Sequence, residues 1–207
     1  MIELKPSSLE KLEKLREKTK GYKALLFDVD GTLANNMPAH KAAYIAAAKY
    51  YGIPDLDPAL IDRTAGWPTY KLAAEIARLY DKKFDNVEFA NLKADIFIKE
   101  YVQLTQPVDF VYAHMLESKE DKRIALVSGG RKSTLAHTLK AIGAEGHYEL
   151  LVSSEDTEKG KPSPQPFLLA AEQLNIAPED CIVMEDGDPG VQGAKAAGMG
   201  WVRVDLL

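Results

Sequence analysis

The sequence lacks the features of a secreted or membrane protein. Its single cysteine, Cys181, cannot form an internal disulfide, and the apolar run around it favours a buried structural thiol. No segment approaches the roughly 18 to 20 consecutive apolar residues that a membrane helix needs. The first residues lead into a stretch rich in lysine and glutamate, which has no apolar core suited to a secretory signal. We therefore expect a cytoplasmic protein with no membrane partner.

The chain also lacks an excess of positive charge. It has 26 lysine and arginine residues against 31 aspartate and glutamate residues, which gives a net charge of −5. Such a balance produces no overall field that would attract a nucleic acid or an anionic membrane. Charged residues make up 28% and hydrophobic residues 46% of the 207 residues, an ordinary mixture for one or two folded domains. We expect a globular monomer or weak homo-oligomer whose partner is a small molecule.

Short apolar runs alternate with helical patterns in the second half of the chain, and one further run lies near its start. The runs predicted as strands are 24–27, 124–127, 150–152, 181–184 and 201–204. This alternation is typical of an α/β fold with a doubly wound, Rossmann-like parallel sheet. Ligands of such sheets bind beyond the carboxyl ends of the strands.

A purely helical pattern separates the first predicted strand from the second. Apolar positions recur at helical spacing over 39–50, again after Pro68, and from about 87 to 104. No strand signal interrupts them. We therefore predict an all-helical cap domain at 36–106, inserted into an α/β core made of 21–35 and 107–207.

A charged helix is predicted at the start of the chain, over residues 8–20. Leu9, Leu12 and Leu15 lie on about one face, Ser8 is a candidate N-cap, and Gly21 would end the helix. We predict that residues 1–20 form a solvated helical extension docked on the core.

Polar residues suited to chemistry stand just beyond the predicted strands, where a parallel sheet would bring them together. In chain order they are Asp28 and Asp30, Ser128, Lys161, and Glu185 and Asp186. Lys159 precedes Lys161 by two residues and is the rival for the charged position. A cluster of carboxylates, one hydroxyl and one ammonium is therefore predicted at one edge of the sheet.

This cluster suits phosphoryl transfer. A phosphate dianion can approach carboxylates only if a cation neutralises the local charge, and Mg²⁺ prefers oxygen ligands, whereas no histidine and cysteine set here suits zinc. One carboxylate can act as nucleophile, and a second, two residues on, can protonate the leaving alkoxide and later deprotonate water. The hydroxyls of Ser128 and Thr32, with backbone N–H groups of the turns at Gly31 and Gly129, can hold the phosphoryl oxygens while Lys161 offsets charge.

Four motifs in order resemble those of the haloacid dehalogenase superfamily. They are Asp28-Val29-Asp30-Gly31-Thr32, Ser128, Gly160-Lys161-Pro162 and Glu185-Asp186, and the resemblance spans roughly 22–207. The resemblance implies that Asp28 is the nucleophile and a metal ligand, and that Asp30 is the acid/base whose backbone carbonyl also binds metal. It further implies that Asp186 is a carboxylate ligand of the metal and Glu185 an additional metal-site residue.

A helical cap inserted after the first motif resembles the β-phosphoglucomutase-like branch of that superfamily. The stretch Gly66-Trp67-Pro68-Thr69, and His40, look like the fructose-1-phosphatase and β-phosphoglucomutase relatives. The residues predicted to contact substrate from the cap are His40, Arg63, Trp67 and Thr69. His40 could equally be a solvated or hydrogen-bonded histidine, and an aromatic residue at a helix start, such as Trp67, more often packs than binds.

The leading hypothesis is a Mg²⁺-dependent phosphatase that hydrolyses small phosphomonoesters, with sugar phosphates as the expected class, through an aspartyl-phosphate on Asp28. A β-phosphoglucomutase-type phosphomutase is the enzyme alternative, because the core motifs permit transfer to a sugar hydroxyl as well as to water. A binding module that has lost its chemistry is the non-enzymatic alternative. The particular metabolite does not follow from the sequence.

Overall fold

The computed structural model describes residues 4–64 and 67–207. Gly66 of the predicted cap motif and the first three residues of the predicted N-terminal extension lie outside the described residues. The chain divides into two compact units, one made of Met1–Asn35 with Gln106–Leu207 and the other of Asn36–Thr105. We call them the sheet unit and the helical unit.

A parallel sheet forms the centre of the sheet unit. The strands in chain order are β1 (Ala24–Phe27), β2 (Ala34–Asn35), β3 (Gln106–Pro107), β4 (Arg123–Val127), β5 (Leu150–Val152), β6 (Cys181–Glu185) and β7 (Gly200–Arg203). Within the described residues, five of them form one parallel sheet in the order β5-β4-β1-β6-β7, and β2 pairs with β3 in a separate antiparallel pair. The order extends both ways from β1, so the predicted doubly wound α/β fold is confirmed.

Helices of the sheet unit cover both faces of this sheet, and the helices of both units are numbered together. The α-helices in chain order are α1 (Pro6–Thr19), α2 (Met37–Tyr50), α3 (Pro58–Arg63), α4 (Thr69–Leu79), α5 (Asn86–Ile96), α6 (Asp109–Ser118), α7 (Lys132–Ala141), α8 (Gln165–Leu174) and α9 (Asp188–Ala196). Leu25 and Phe27 of β1 pack with residues of α1, α6 and α7, whereas Ala24 and Leu26 pack with α8 and α9. The side chains of β1 thus alternate between two buried faces, which explains its continuous apolar sequence. Cys181 is buried on the α8 and α9 side, as predicted.

Helix α6 was not predicted from the sequence. Its buried residues include Phe110, Val111, Tyr112 and Met115. The first three are consecutive, so their side chains point to different sides of the helix and do not form one narrow stripe. A helix buried on several sides lacks the amphipathic periodicity on which the prediction relied.

The N-terminal helix differs from its prediction. It begins at Pro6 rather than Ser8, and Lys5 occupies the N-cap position. Ser8 lies inside the helix, and its hydroxyl donates to Asp109 Oδ2 of α6 at 2.6 Å. Leu12 and Leu15 lie in the main core of the sheet unit, with Leu15 fully buried. Helix α1 is thus docked on the core through these leucines, while most of its other residues are exposed. That residues 1–20 are an extension of the domain stays a prediction.

The helical unit has its own core. Tyr44 of α2, Leu72 and Ile76 of α4 and Phe89 of α5 are buried in one cluster. The helix predicted over 87–104 consists of α5, a π-helical turn at Phe97–Tyr101 and a 3₁₀ turn at Val102–Leu104. Helix α3 was missed because six residues are too few to display a helical repeat. Among the described residues, no helix has the length and apolar character needed to cross a membrane.

Candidate active site

Strands β1 and β6 end side by side at one edge of the sheet. Phe27 is paired with Met184, and the Asp28 backbone N–H donates to the Met184 carbonyl at 3.0 Å. Asp28 and Glu185 therefore stand at the same level, and Asp186 follows. One carboxylate oxygen from each of these three residues lies within 4.8 Å of the other two. The carboxyl edge of a doubly wound sheet is where its ligands bind.

Lys161 connects two of these carboxylates. Its Nζ donates to Asp28 Oδ1 at 2.6 Å, to Glu185 Oε1 at 2.5 Å and to the Val127 carbonyl at 2.8 Å. All three ammonium protons thus have acceptors. Lys159, the alternative weighed from the sequence, is exposed to solvent, so Lys161 supplies the ammonium at the carboxylates.

Negative charge predominates in this cluster. Burial, and then the neighbouring Glu185 carboxylate, raise the pKa of Asp28 well above its usual range. The same two causes raise the pKa of Asp186. Burial alone would lower the pKa of Lys161, but the Asp28 and Glu185 carboxylates outweigh it and hold that pKa above its usual value. Lys161 is therefore an ammonium that neutralises only part of the charge of three carboxylates.

The donor set fits a hard metal ion. Asp28, Glu185 and Asp186 offer carboxylate oxygens close together, and these are the ligands that divalent cations such as Mg²⁺ and Ca²⁺ take in proteins. A bound cation would also offset the burial and the repulsion from Glu185 that together raise the pKa of Asp28. The acidic cluster is thus suited to hold metal.

Two glycines make room for the carboxylates. Gly31 has a φ of +92°, and a Cβ there would overlap the Asp186 carboxylate. Gly190, in the first turn of α9, faces Glu185 so closely that a Cβ would overlap the glutamate carboxyl group. Sequence analysis did not identify Gly190 as a site residue, because its need for glycine arises from a contact across space with the end of β6.

The turn after β1 carries the remaining residues of the first motif. Thr32 is fully buried, and its hydroxyl donates to Asp186 Oδ1 at 3.1 Å. The Gly31 backbone N–H donates to the Ala34 carbonyl at 2.8 Å, so it serves the turn itself. Asp30 is half-buried in the same turn. The turn therefore orients Asp186, and the predicted contact of Gly31 with phosphate stays a prediction.

Ser128 lies directly after β4, next to β1. Its backbone N–H donates to the Val152 carbonyl at 2.9 Å, and its Oγ accepts from the Gly130 backbone N–H at 3.0 Å. Because this bond uses an oxygen lone pair, the hydroxyl proton remains available for donation. Gly129 is exposed beside it.

The residues predicted to contact substrate from the cap all lie in the helical unit, where each has a partner. His40 is buried, stacks on Phe97 with ring centroids 4.0 Å apart, and lies with Nδ1 2.7 Å from Lys93 Nζ. The Tyr44 hydroxyl donates to Thr69 at 3.1 Å. Arg63 pairs with Asp57 on the surface at 3.2 Å, and exposed Trp67 lies under the Lys71 ammonium. Sequence analysis did not mark Lys93, since a lysine in a helical pattern is usually exposed.

Comparison with known proteins gives one family. A family model of haloacid dehalogenase-like hydrolases matches residues 22–198. Fructose-1-phosphate phosphatase YqaB of Escherichia coli is 32% identical over 187 residues, which cover 90% of this chain and 98% of that enzyme. A phosphorylated carbohydrates phosphatase of Thermotoga maritima is 30% identical, over 85% of this chain and 82% of that enzyme.

Solved structures agree with the sequence comparisons. A provisionally named β-phosphoglucomutase from Thermotoga maritima superposes with a TM-score of 0.69 at 26% identity. The match covers 86% of this chain and 82% of that protein. The matched family model begins after α1, so this helix lies outside the part that the family shares.

Proposed function

The chain belongs to the haloacid dehalogenase-like hydrolases, and we propose that it is a Mg²⁺-dependent phosphatase of small phosphomonoesters, with sugar phosphates as the substrate class. The contact of the buried Asp28 carboxylate with Lys161, among further carboxylates, is the observation that carries the proposal. The relatives named for fructose 1-phosphate and phosphorylated carbohydrates support the substrate class.

In the proposed reaction, the Asp28 carboxylate attacks the phosphorus atom of the ester. The bond from phosphorus to the leaving alkoxide breaks while the Asp30 carboxyl group gives that oxygen a proton, which leaves an aspartyl-phosphate on Asp28. Asp30, now ionised, takes a proton from the water that attacks the same phosphorus. Inorganic phosphate leaves, and the Asp28 carboxylate is restored.

Three other residues support these steps. Ser128 donates its free hydroxyl proton to a phosphoryl oxygen, since its Oγ already accepts from Gly130. Lys161 keeps Asp28 in place and offsets the negative charge that develops on the phosphoryl group. Thr32 fixes Asp186 through its hydroxyl. Gly31 and Gly129 are proposed as backbone contacts of the phosphate.

We propose Mg²⁺ as the metal, held by Asp28, Asp186 and the backbone carbonyl of Asp30. The ion supplies positive charge that lets a phosphate dianion approach a carboxylate nucleophile. Glu185 is a proposed additional ligand. Its two oxygens already accept from Lys161 and, at 3.3 Å, from the Gly187 backbone N–H, so a metal would compete for them.

The proposal is tested by phosphate release from a panel of sugar, polyol and glycolate phosphates, with Mg²⁺ and with a chelator. We expect turnover only with the metal. In Asp28→Asn, kcat should fall by at least about 10³-fold, because the amide cannot form the phosphoenzyme. Asp188→Asn, in an exposed position close to the site, serves as the control and should keep normal kcat. Normal turnover by Asp28→Asn would exclude Asp28 as the nucleophile.

A phosphomutase is the second candidate, favoured by the structural match to the provisionally named β-phosphoglucomutase. In that reaction a sugar hydroxyl, rather than water, accepts the phosphoryl group from Asp28. Incubation with β-glucose 1-phosphate and a glucose bisphosphate activator separates the two functions. Glucose 6-phosphate as the product would identify a mutase, and free phosphate a phosphatase.

Four further statements remain proposals. His40, Arg63, Trp67 and Thr69 of the helical unit are proposed to select the substrate, which alanine substitution would test through changes in KM across the ester panel. The enzyme is proposed to act in the cytoplasm, where phosphorylated metabolites are made and used. It is also proposed to act as a monomer or weak homo-oligomer, and without a nucleic-acid partner.

A further inference from the structure

Two neighbouring loops at the active-site edge are tied together by hydrogen bonds. The serine loop, residues 128–131, follows β4 and carries Ser128. The brace loop, residues 153–156, follows β5 and precedes the segment that carries Lys161. Ser154 donates to the Gly130 carbonyl from its backbone N–H at 3.0 Å and from its hydroxyl at 3.1 Å. The brace loop thus lies directly against the residue whose N–H orients the Ser128 hydroxyl.

Asp156 accepts hydrogen bonds from residues next to both of these loops. Its Oδ2 accepts from the Ser153 backbone N–H at 2.9 Å and from the Ser153 hydroxyl at 2.6 Å. Its Oδ1 accepts from Lys132 Nζ at 2.6 Å, and Lys132 begins α7 directly after the serine loop. The Asp156 carboxylate therefore binds both the first residue of its own loop, Ser153, and Lys132, the residue directly after the serine loop.

The environment of Asp156 stabilises its charge. The bond from Lys132, followed by those from Ser153, lowers the pKa of Asp156 to about 2. Ser153 is almost fully buried, whereas Asp156 is exposed as a residue, with about a quarter of its side chain accessible to solvent. Asp156 is therefore ionised at any pH at which the enzyme would work. Its three hydrogen bonds are of the charge-assisted kind, which are stronger than bonds between neutral groups.

Three hydrogen bonds, joined by short stretches of backbone, lead from Asp156 to Ser128. Asp156 fixes Ser153, the next residue Ser154 holds the Gly130 carbonyl, and the Gly130 N–H donates to Ser128 Oγ. We propose that Asp156 is a positioning residue, which acts through this path and through Lys132 to hold the Ser128 hydroxyl in the orientation that donates to the phosphoryl group. The inference rests on the proposed function of Ser128.

A double-mutant cycle tests this role. In Asp156→Asn, kcat/KM should fall by about 10-fold, the usual size of an effect transmitted through a supporting residue. In Ser128→Ala, the hydroxyl that Asp156 orients is gone, so adding Asp156→Asn should change kcat/KM by less than about 2-fold. Glu158→Gln, an exposed acid in the same segment, is the control and should keep wild-type kcat/KM.

The wild type, Asp156→Asn, Ser128→Ala and the double variant are also titrated with inorganic phosphate in the presence of Mg²⁺. Asp156→Asn should weaken phosphate binding in the wild-type background and not in the Ser128→Ala background. This measurement needs no turnover, so it separates failure of the inference from failure of the phosphatase proposal. If no ester is hydrolysed but phosphate binding shows the coupling, only the proposed function fails.

Lys132→Met provides the second variant, because it removes the other end of the contact and leaves Asp156 in place. It should lower kcat/KM in the same direction, again only when Ser128 is present, whereas Lys132→Arg should retain most activity. A multiplicative loss in the double variants, or an equal loss in Glu158→Gln, would overturn the inference. Such results would show that Asp156 acts on the general stability of the fold and not on Ser128.

Discussion

Two polar clusters of the sheet unit differ in the balance of their charges. At the active-site edge, the carboxylates of Asp28, Glu185 and Asp186 share one ammonium, that of Lys161. Burial, followed by the like charge of Glu185, raises the pKa of both Asp28 and Asp186. Like charges held together in a buried site reduce the stability of the fold.

The cluster between α1 and α6 is complementary throughout. His114 lies with Nε2 2.8 Å from the Thr19 hydroxyl and with Nδ1 3.0 Å from Glu117 Oε1. Arg16 donates to both carboxylate oxygens of Glu117, at 2.8 and 2.5 Å. The hydroxyl of Ser8 donates to Asp109 at the start of α6. In this cluster each hydrogen-bond donor faces an acceptor, and the Arg16 cation faces the Glu117 carboxylate.

We infer from this difference in charge balance that the active-site edge serves the chemistry and that the interface of α1 with α6 serves folding. In the proposed function, a metal and a phosphate would complete the unbalanced carboxylate cluster. The interface of α1 with α6 is complete without a ligand. Helix α1 precedes residue 22, where the family match begins, whereas α6 lies within the matched region. Substitutions at the active-site edge should therefore affect kcat/KM, whereas those in or near the interface of α1 with α6 should affect the free energy of unfolding.

The largest stability effect is expected in α1. Leu15 is fully buried in the main core, so Leu15→Ala should lower the free energy of unfolding by about 3 kcal/mol through lost burial and a new cavity. Well below the melting temperature, kcat and KM should be those of the wild type. Urea unfolding followed by circular dichroism gives the first quantity, and phosphate release gives the second.

Leu9→Ala is the matched control, because Leu9 lies in the same helix but is 48% exposed. Its free energy of unfolding should change by less than about 0.5 kcal/mol. Equal losses at both positions would mean that α1 is not a core layer. A loss of kcat in Leu15→Ala at low temperature would mean that α1 also supports the chemistry.

The fold was predictable where apolar residues form uninterrupted runs or recur at helical spacing along the chain. The five strands of the parallel sheet were found within one residue, because buried strands such as β1 are uninterrupted apolar runs. The two-residue strands β2 and β3 were missed, since two residues display no pattern. Asp28 and Glu185 were found because polar residues beyond such runs stand out, and the structure brings them together at Lys161. Their roles in catalysis remain predictions that the proposed experiments test.

Features that depend on contacts across space were not predictable. Gly190 and Asp156 look ordinary in the sequence, and each matters only because another loop lies against it. Leu15 was seen as part of an apolar stripe, but its depth in the core depends on α6, a helix that has no stripe of its own.

A smaller effect, confined to the active-site edge, is expected from Gly190→Ala. The added Cβ would overlap the Glu185 carboxyl group, which would have to move away from Lys161. We expect kcat/KM to fall by about 10-fold or more. The free energy of unfolding should change little. The cost of displacing Glu185 is offset by the roughly 1 kcal/mol by which alanine favours the helix relative to glycine. Kinetics and urea unfolding of the same preparation give both values.

Gly21→Ala is the control for this substitution, since a Cβ at Gly21 meets no atom within 4 Å. It should leave both kcat/KM and the free energy of unfolding close to the wild-type values. Unchanged kinetics in Gly190→Ala would show that the position of Glu185 is not needed for activity.

The smallest effect is expected from pH at the interface of α1 with α6. Burial lowers the pKa of His114 below its usual 6.5, and the charges of Arg16 and Lys122 act in the same direction against the opposing Glu117. The unfolded chain therefore binds a proton at His114 more readily than the folded protein does. The free energy of unfolding should fall as the pH falls from 7 towards 5, and the loss should begin near pH 6.5, the usual pKa of an unfolded histidine.

Glu117 stays ionised across this range, because its own pKa is lowered by the hydrogen bond from Arg16. The comparison of wild type with His114→Gln isolates the contribution of this histidine from those of the others. The variant should lose less stability between pH 7 and pH 5 than the wild type does, with its kinetics at pH 7 unchanged. An identical pH dependence of unfolding in both proteins would contradict this, and would mean that His114 binds a proton equally well in the folded and unfolded states.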